Sequence, residues 1–156
     1  MPNKATIEAA KRDRAAGKSA STQAGEFVKE EMDKIRKGKT GARNTKQAIA
    51  IGLSEARRAG VALKPPAKGK APEKTRRSAE RELEKGQRHE PIDPARSRAR
   101  EKVQQKEPRT AATPQALSRH ARAAAQERTP AERSVSARKA ARTKKNSRGS
   151  GGSSST

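Results

Sequence analysis

The 156-residue chain contains no cysteine, tryptophan or tyrosine and a single phenylalanine, Phe27. Without cysteine there is no disulfide, no thiolate-bound metal and no cysteine nucleophile. With one Phe and no Trp or Tyr there is little on which unpaired bases can stack, and little to seat a peripheral helix at a membrane surface. Long apolar runs are missing as well. The longest, Ala48 to Leu53, falls far short of the roughly 20 residues that span a bilayer, and the N-terminus lacks the apolar core of a secretory signal. A cytoplasmic protein without a membrane partner is the expectation. Leu, Ile, Val and Phe together number 14, too few for a large core in a charged chain.

What is present is positive charge and alanine. Lys and Arg number 39 against 17 Asp and Glu, a net charge of +22, and such an excess repels itself unless a polyanion neutralises it. Residues 1–64 carry 15 basic and 7 acidic residues, and residues 65–156 carry 24 and 10. Alanine, at 29 residues, favours helix while burying little surface.

Apolar periodicity concentrates between residues 21 and 63. Ala24, Phe27, Val28, Met32 and Ile35 recur at helical offsets, with Ser21 or Thr22 placed as a cap and Gly38 as a stop. A second helix starts at Asn44 or Thr45, where Asn44 and Gln47 have capping-box spacing, and ends at Arg57, Arg58 and Gly60. Ile49, Leu53 and Ala56 line its face, and Gly52 permits close approach by another helix. Val61 and Leu63 fold back before Pro65 and Pro66 forbid continuation. The predicted fold is small and all-α: a helical hairpin, about 21–37 and 45–59, followed by a long basic tail that is largely disordered or only conditionally helical. Four segments result: a basic N-terminal arm (1–18) holding at best a frayed helix, the hairpin domain (19–64), an Arg/Lys/Ala-rich tail (65–145) and a Gly/Ser-rich flexible end (146–156). The hairpin's apolar set is small enough that self-association as a homodimer, or a bound polyanion, would stabilise it.

Within the tail, Asp93-Pro94, Thr113-Pro114 and Thr129-Pro130 each set a capping residue before a proline at the first helical position, and Thr129 with Glu132 completes a capping box. A related pattern follows each start, "SRAR", "SRHARAAA" and "SARKAAR". These are weak repeats of a basic, alanine-rich helix with no core to bury.

No motif supports catalysis. "GKT" at 38–40 lacks the glycine a Walker A loop needs five residues earlier; that position is Asp33, inside a predicted helix. "GKTG" at 38–41 matches the GXXG clamp of KH domains, but the three-stranded sheet of those domains has no counterpart here. The connection is too long for a helix-turn-helix reader of base sequence. His89 and His120 lie in polar surroundings without ligand spacing, and no serine sits in a nucleophile elbow. The chain therefore reads as a non-enzyme with no cofactor, metal or small-molecule substrate.

The stretch "STQAGEFVKEEMDKIRKGKTGARNTKQAIAIGLSEARRAGV", residues 21–61, resembles an uncharacterised family of small basic bacterial proteins classed as a domain of unknown function. "STQAGEF" and "GARNTKQAIAIGLSEARRAG" are its most distinctive words. The resemblance implies a bacterial origin and a helical unit, not a mechanism, and the tail is similar in composition to bacterial histone-like tails.

The leading expectation is a sequence-nonspecific DNA-binding, nucleoid-associated protein that acts through phosphates. Its candidate contacts are Lys37, Lys39, Arg43 and Lys46 around the hairpin turn, Arg57 and Arg58 at the second helix's end, and Arg96, Arg98, Arg100, Arg119, Arg122, Arg138, Lys139, Arg142, Lys144 and Lys145 along the tail. RNA, bound by a chaperone or ribosome-associated factor, is the alternative polyanion. A protein-interaction or stress-protectant role with a solvating tail is the third reading, and it requires an exposed apolar stripe on the hairpin.

Overall fold

Four helices close with the same backbone signature, and three of them do so on glycine. In the computed structural model, which describes residues 2–149 and the side chains of residues 2–144, α1 spans Lys4–Ala15, α2 Ala20–Arg36, α3 Thr45–Arg58 and α4 Glu73–Gln87. Each is followed by a residue at positive φ, Gly17, Gly38, Gly60 and His89 respectively. After α2, the Gly38 amide donates to the Ile35 carbonyl and the Lys39 amide to Lys34, the paired bonds of a Schellman motif. His89, at φ 53°, takes a left-handed conformation that costs a side-chain-bearing residue more than glycine.

The hairpin forms almost at its expected limits, one residue early at the start of α2. Ser19, not Ser21 or Thr22, is the cap: its Oγ accepts from the Thr22 amide at 3.3 Å. Asn44 Oδ1 accepts from the Gln47 amide at 2.9 Å, while Gln47 Oε1 takes the Arg43 amide at 2.8 Å, one residue before the reciprocal bond of a true capping box. Where α2 and α3 cross, a Cβ on Gly52 would lie 2.7 Å from Val28 Cα. The backbones approach there as the sequence suggested.

The rest departs from the expectation of an arm and a disordered tail. α1 is a packed helix: Asn3 caps it, Ala10 is buried, and the Asn3 amide donates to both oxygens of Glu30 at 3.0 Å. Beyond the hairpin come α4, then α5 (Pro94–Gln105), a 3-10 turn (Thr110–Ala112), α6 (Pro114–Gln126) and α7 (Pro130–Gly149). The predicted caps explain why: Asp93 Oδ1 accepts from the Ala95 amide, Thr113 Oγ1 from the Ala116 amide, and Thr129 and Glu132 form a reciprocal capping box. In α4, ion pairs between Glu73, Arg76, Arg77 and Glu80 run along one face. Hydrogen bonds from Arg76 and Arg77 pull the exposed Glu73 carboxyl down to about 2. The expected flexible end falls mainly outside the described residues, which stop at Gly149.

By contacts the chain divides at Leu117 and Ser118. In the first unit the core has two clusters. Phe27, Ala24 and Ala56 meet Ala10 of α1 and the returning Val61 at one end of the hairpin. At the other end, Met32, Ile35 and Ala48 meet Ala111 and Ala112 of the 3-10 turn, with Leu117 packed against them. Alanines complete what bulky residues begin, so the hairpin's apolar faces are covered within the chain. α4 packs on α3 so closely that a Cβ on Gly86 would lie 1.8 Å from the Arg57 carbonyl oxygen. In the second unit, the described side chains of α7 are all exposed, and Arg128 Nη1 donates to Ser136 Oγ at 3.1 Å. α7 is a helix sustained by its cap and by alanine propensity rather than by burial.

Candidate nucleic-acid interface

The α2–α3 connection displays cations because its backbone is held from below. The Gly41 amide donates to the Gln104 carbonyl and the Ala42 amide to the Pro108 carbonyl, both at 2.9 Å. A Cβ on Gly41 would sit 2.0 Å from the Glu107 carbonyl oxygen, so Gly41 serves close packing beneath another loop rather than an open GXXG clamp. Thr45 Oγ1 donates to the Ala111 carbonyl at 2.6 Å, and Arg36 Nε to Ala112 at 3.3 Å. On this pinned loop Lys37, Lys39, Arg43 and Lys46 are all exposed. Arg43 Nε lies 3.7 Å from Glu107 Oε1, a long and solvent-screened pairing.

Arg109 joins the patch and was missed from sequence. Its guanidinium lies against Gly38, where a Cβ would be 2.9 Å from Arg109 Nη1. No spacing rule connects positions 38 and 109; only the folded chain brings them together.

Arg57 and Arg58 are placed elsewhere. Arg57 is 7% exposed, and it donates through Nε to the Leu63 carbonyl at 3.1 Å and through Nη2 to Lys64 at 3.4 Å. It fastens the chain that folds back over α3, and burial lowers its pKa, with Glu82 opposing. Arg58 is half-buried, its Nε 3.4 Å from Glu82 of α4. Both side chains hold elements together; Arg57 is withdrawn from the surface, and Arg58, paired with Glu82, also lines a cavity of the first unit.

Along α5, Arg96 and Arg100 line a cavity and Arg98 does not. All three are exposed. On α6, Arg119 and Arg122 are exposed while His120 and Ala124 on the other side are half-buried. Arg138, Lys139, Arg142 and Lys144 of α7 are exposed too, and the Lys145 side chain lies outside the described residues. From Ser118 to the end there are ten basic residues and two acidic ones, Glu127 and Glu132. Beyond Glu132 there is no carboxylate side chain at all.

A second polar feature also escaped the sequence reading, although its signal was there. Glu31 falls midway between Phe27 and Ile35, on the buried stripe of α2, and is 1% exposed. Thr40 Oγ1 donates to it at 3.4 Å. Lys34 Nζ stands 2.9 Å from Glu30, 3.9 Å from Glu31 and 3.6 Å from Glu55. Burial and the neighbouring Glu55 push the Glu31 carboxyl up. Burial works against the Lys34 ammonium, but its carboxylates prevail and raise its pKa.

Neither histidine has metal-site company: among the described residues no group of three or more His, Asp or Glu is placed to hold an ion. The same residues contain no strand, so neither a Walker A loop nor a KH sheet is present in them. None of their helices is long and apolar enough to cross a membrane.

The class defined by these features is a strongly basic protein, all-helical among the described residues, with cationic side chains displayed from two units. Residues 11–69 match the model of a family of unknown function, DUF6496. That span runs from within α1 to just before α4 and contains the 21–61 segment. No curated protein and no solved structure matches the chain.

Proposed function

We propose that the protein is a non-enzymatic, sequence-nonspecific DNA-binding protein of the nucleoid-associated kind, acting through phosphate contacts in a bacterial cytoplasm. The observation that carries this reading is the second unit, with ten basic and two acidic residues from Ser118 onward and every described basic side chain exposed. Helices place these cations at fixed intervals along the chain, and each phosphate contact releases condensed counterions. The patch of Lys37, Lys39, Lys46 and Arg109 offers a second contact surface in the first unit. With Phe27 buried and no Trp or Tyr, few side chains are left for stacking on unpaired bases, which favours duplex phosphates over single strands. The apolar stripe that a protein-docking role needs exposed is occupied by Ala10, Val61, Ala111 and Ala112.

The test is titration of the full chain against duplexes of unrelated sequence over a range of salt. The expected result is equal affinity across sequences and a linear fall of log affinity with log salt, with a slope of about −0.9 per phosphate neutralised. A flat salt response overturns the reading, as does a preference for one sequence by more than about 1 kcal/mol per base pair. Double-stranded RNA serves as competitor, and displacement of DNA by it at far lower concentration assigns the protein to RNA instead.

A further inference from the structure

The first unit carries a half-open cavity of about 710 Å³, within the range typical of small-molecule sites. Its floor includes Glu31 and Lys34 of α2 and Glu55 and Arg58 of α3, and α5, which has no buried residue of its own, lines it as well. α5 is tied in at its last turn, where the carbonyl of Gln104, itself a lining residue, accepts from the Gly41 amide. The charges on the wall separate into answered and unanswered groups. Lys34 is paired with Glu30, Glu31 and Glu55, and Lys85 with Glu90 at 3.2 Å, while Arg58 is paired with Glu82. Lys39, Arg96 and Arg100 also line the cavity, and among the described residues they form no ion pair. Against these three stand Glu101 and Asp93, and the Asp93 carboxylate is engaged by the Ala95 and Arg96 amides as the cap of α5.

We propose that this cavity binds a small oligophosphate, alone or as the phosphate chain of a nucleotide. The inner face of α5 presents two guanidiniums one helical turn apart, and Lys39 adds a cation from another element. Guanidinium pairs grip phosphate oxygens bidentately. Cations set apart around so large a space call for an anion whose charge extends along a chain, not for a single phosphate. Of the floor acids, one charge is met by Lys34 and Glu31 is biased by burial towards its neutral form, so the charge opposing an anion is reduced rather than removed. This site is distinct from the displayed cations of the second unit; it shares Lys39 with the duplex patch of the first unit, but Arg96 and Arg100 belong to it alone and test it apart from the duplex reading.

The structure supplies its own control. Arg98 and Lys102 lie on α5 but not on the cavity wall, so Arg98→Gln with Lys102→Gln removes the same charge as Arg96→Gln with Arg100→Gln without touching the site. Inorganic triphosphate is titrated calorimetrically into the full chain and both variants at about 150 mM salt, where exposed charges more than about 8 Å apart are screened. The expected result is one saturable site, weakened about tenfold or more by the inner pair and less than about twofold by the outer pair. Lys39→Gln, on a different element, is expected to weaken it as well. Circular dichroism confirms that each variant keeps its helices, since all the replaced side chains are exposed. Repetition with ATP identifies the natural form: tighter binding points to a nucleotide, equal binding to the phosphate chain alone. Equal losses for inner and outer pairs, or only multisite, unsaturable binding, overturn the proposal.

Discussion

Arg57 and Arg98 carry the same side chain, and the fold turns one inward and leaves the other out. Replacing Arg57 with Ala removes a buried side chain and its charged hydrogen bonds to the carbonyls of half-buried Leu63 and exposed Lys64, and a hydrogen bond to a charged group contributes about 1.5–3 kcal/mol. The expected outcome for Arg57→Ala is a fall in stability of about 2 kcal/mol in denaturant titration, with the salt slope of duplex binding unchanged. Arg98→Ala is expected to do the reverse: no measurable change in stability and a slightly shallower slope. Glu31 gives the residue scale a pH dependence. Its carboxyl is raised by burial first and by Glu55 second, so the folded chain holds this proton where the unfolded chain has released it. That contribution favours the fold below the ordinary glutamate range and is lost as pH climbs through the raised value. Glu30 has the opposite sign: burial opposes it, but hydrogen bonds from Lys34, Thr6 and the Asn3 amide win and lower its carboxyl. Its contribution is present above the ordinary range and is lost as pH falls. Glu31→Gln keeps the side chain's shape and an acceptor for Thr40 while abolishing the charge. The variant is expected to melt higher than wild type at about pH 7 and to match it at about pH 3, where Glu31 is protonated in both states. A melting point unchanged at both pH values contradicts the assigned burial effect.

At the scale of elements, α2 and α3 were legible because bulky residues recur on their faces and glycine stops them, and the starts of α5, α6 and α7 because Asp93, Thr113 and Thr129 precede prolines. What was not legible is the way those elements close the core. Ala10, Ala111 and Ala112 are buried, yet in sequence they cannot be told from the exposed alanines of α7. A methyl group marks neither an inside nor an outside until a partner backbone comes close enough to need its smallness. Gly86 is similar: its reason is the Arg57 carbonyl 29 positions earlier, a relation no local period encodes. Glu31 is the opposite case: its place midway between Phe27 and Ile35 marks it for the buried stripe in the sequence itself. Because the core is closed from both sides of the hairpin, its folding unit is larger than the hairpin. A chain of residues 1–117 is expected to give a cooperative thermal transition by far-ultraviolet circular dichroism. A chain of residues 19–64 lacks Ala10, Ala111, Ala112 and Leu117 from its two clusters and is expected to melt without cooperativity and with low helicity, since isolated helices of this length are marginal in water. Equal transitions in both would return the hairpin to the status of an independent domain.

For the whole molecule, acidity and basicity are divided unevenly along the chain, and this governs where to cut it. Of the 17 acidic residues only Glu127 and Glu132 lie beyond Leu117, while every ion pair cited above lies within the first unit, so that unit's 29 basic residues are partly spent on its own carboxylates. The second unit's ten basic residues have little internal acid to meet. Removing everything after the hairpin would also remove Ala111, Ala112 and α4, and would confuse loss of binding with loss of fold. Removal of residues 118–156 takes ten basic residues and leaves the two core clusters intact, Leu117 included. If every one of those residues neutralised a phosphate, the log–log salt slope would become shallower by about nine. Engagement of only part of these cations makes a change of about four to six the expected result, with affinity at about 100 mM salt falling about a hundredfold or more. Replacing Lys37, Lys39, Lys46 and Arg109 with Gln in the full chain is expected to change the slope by about two to four. Should the chain ending at Leu117 keep both the affinity and the slope of the full protein, the displayed cations of α6 and α7 are not the binding element, and the contact must be sought around Gly38 alone.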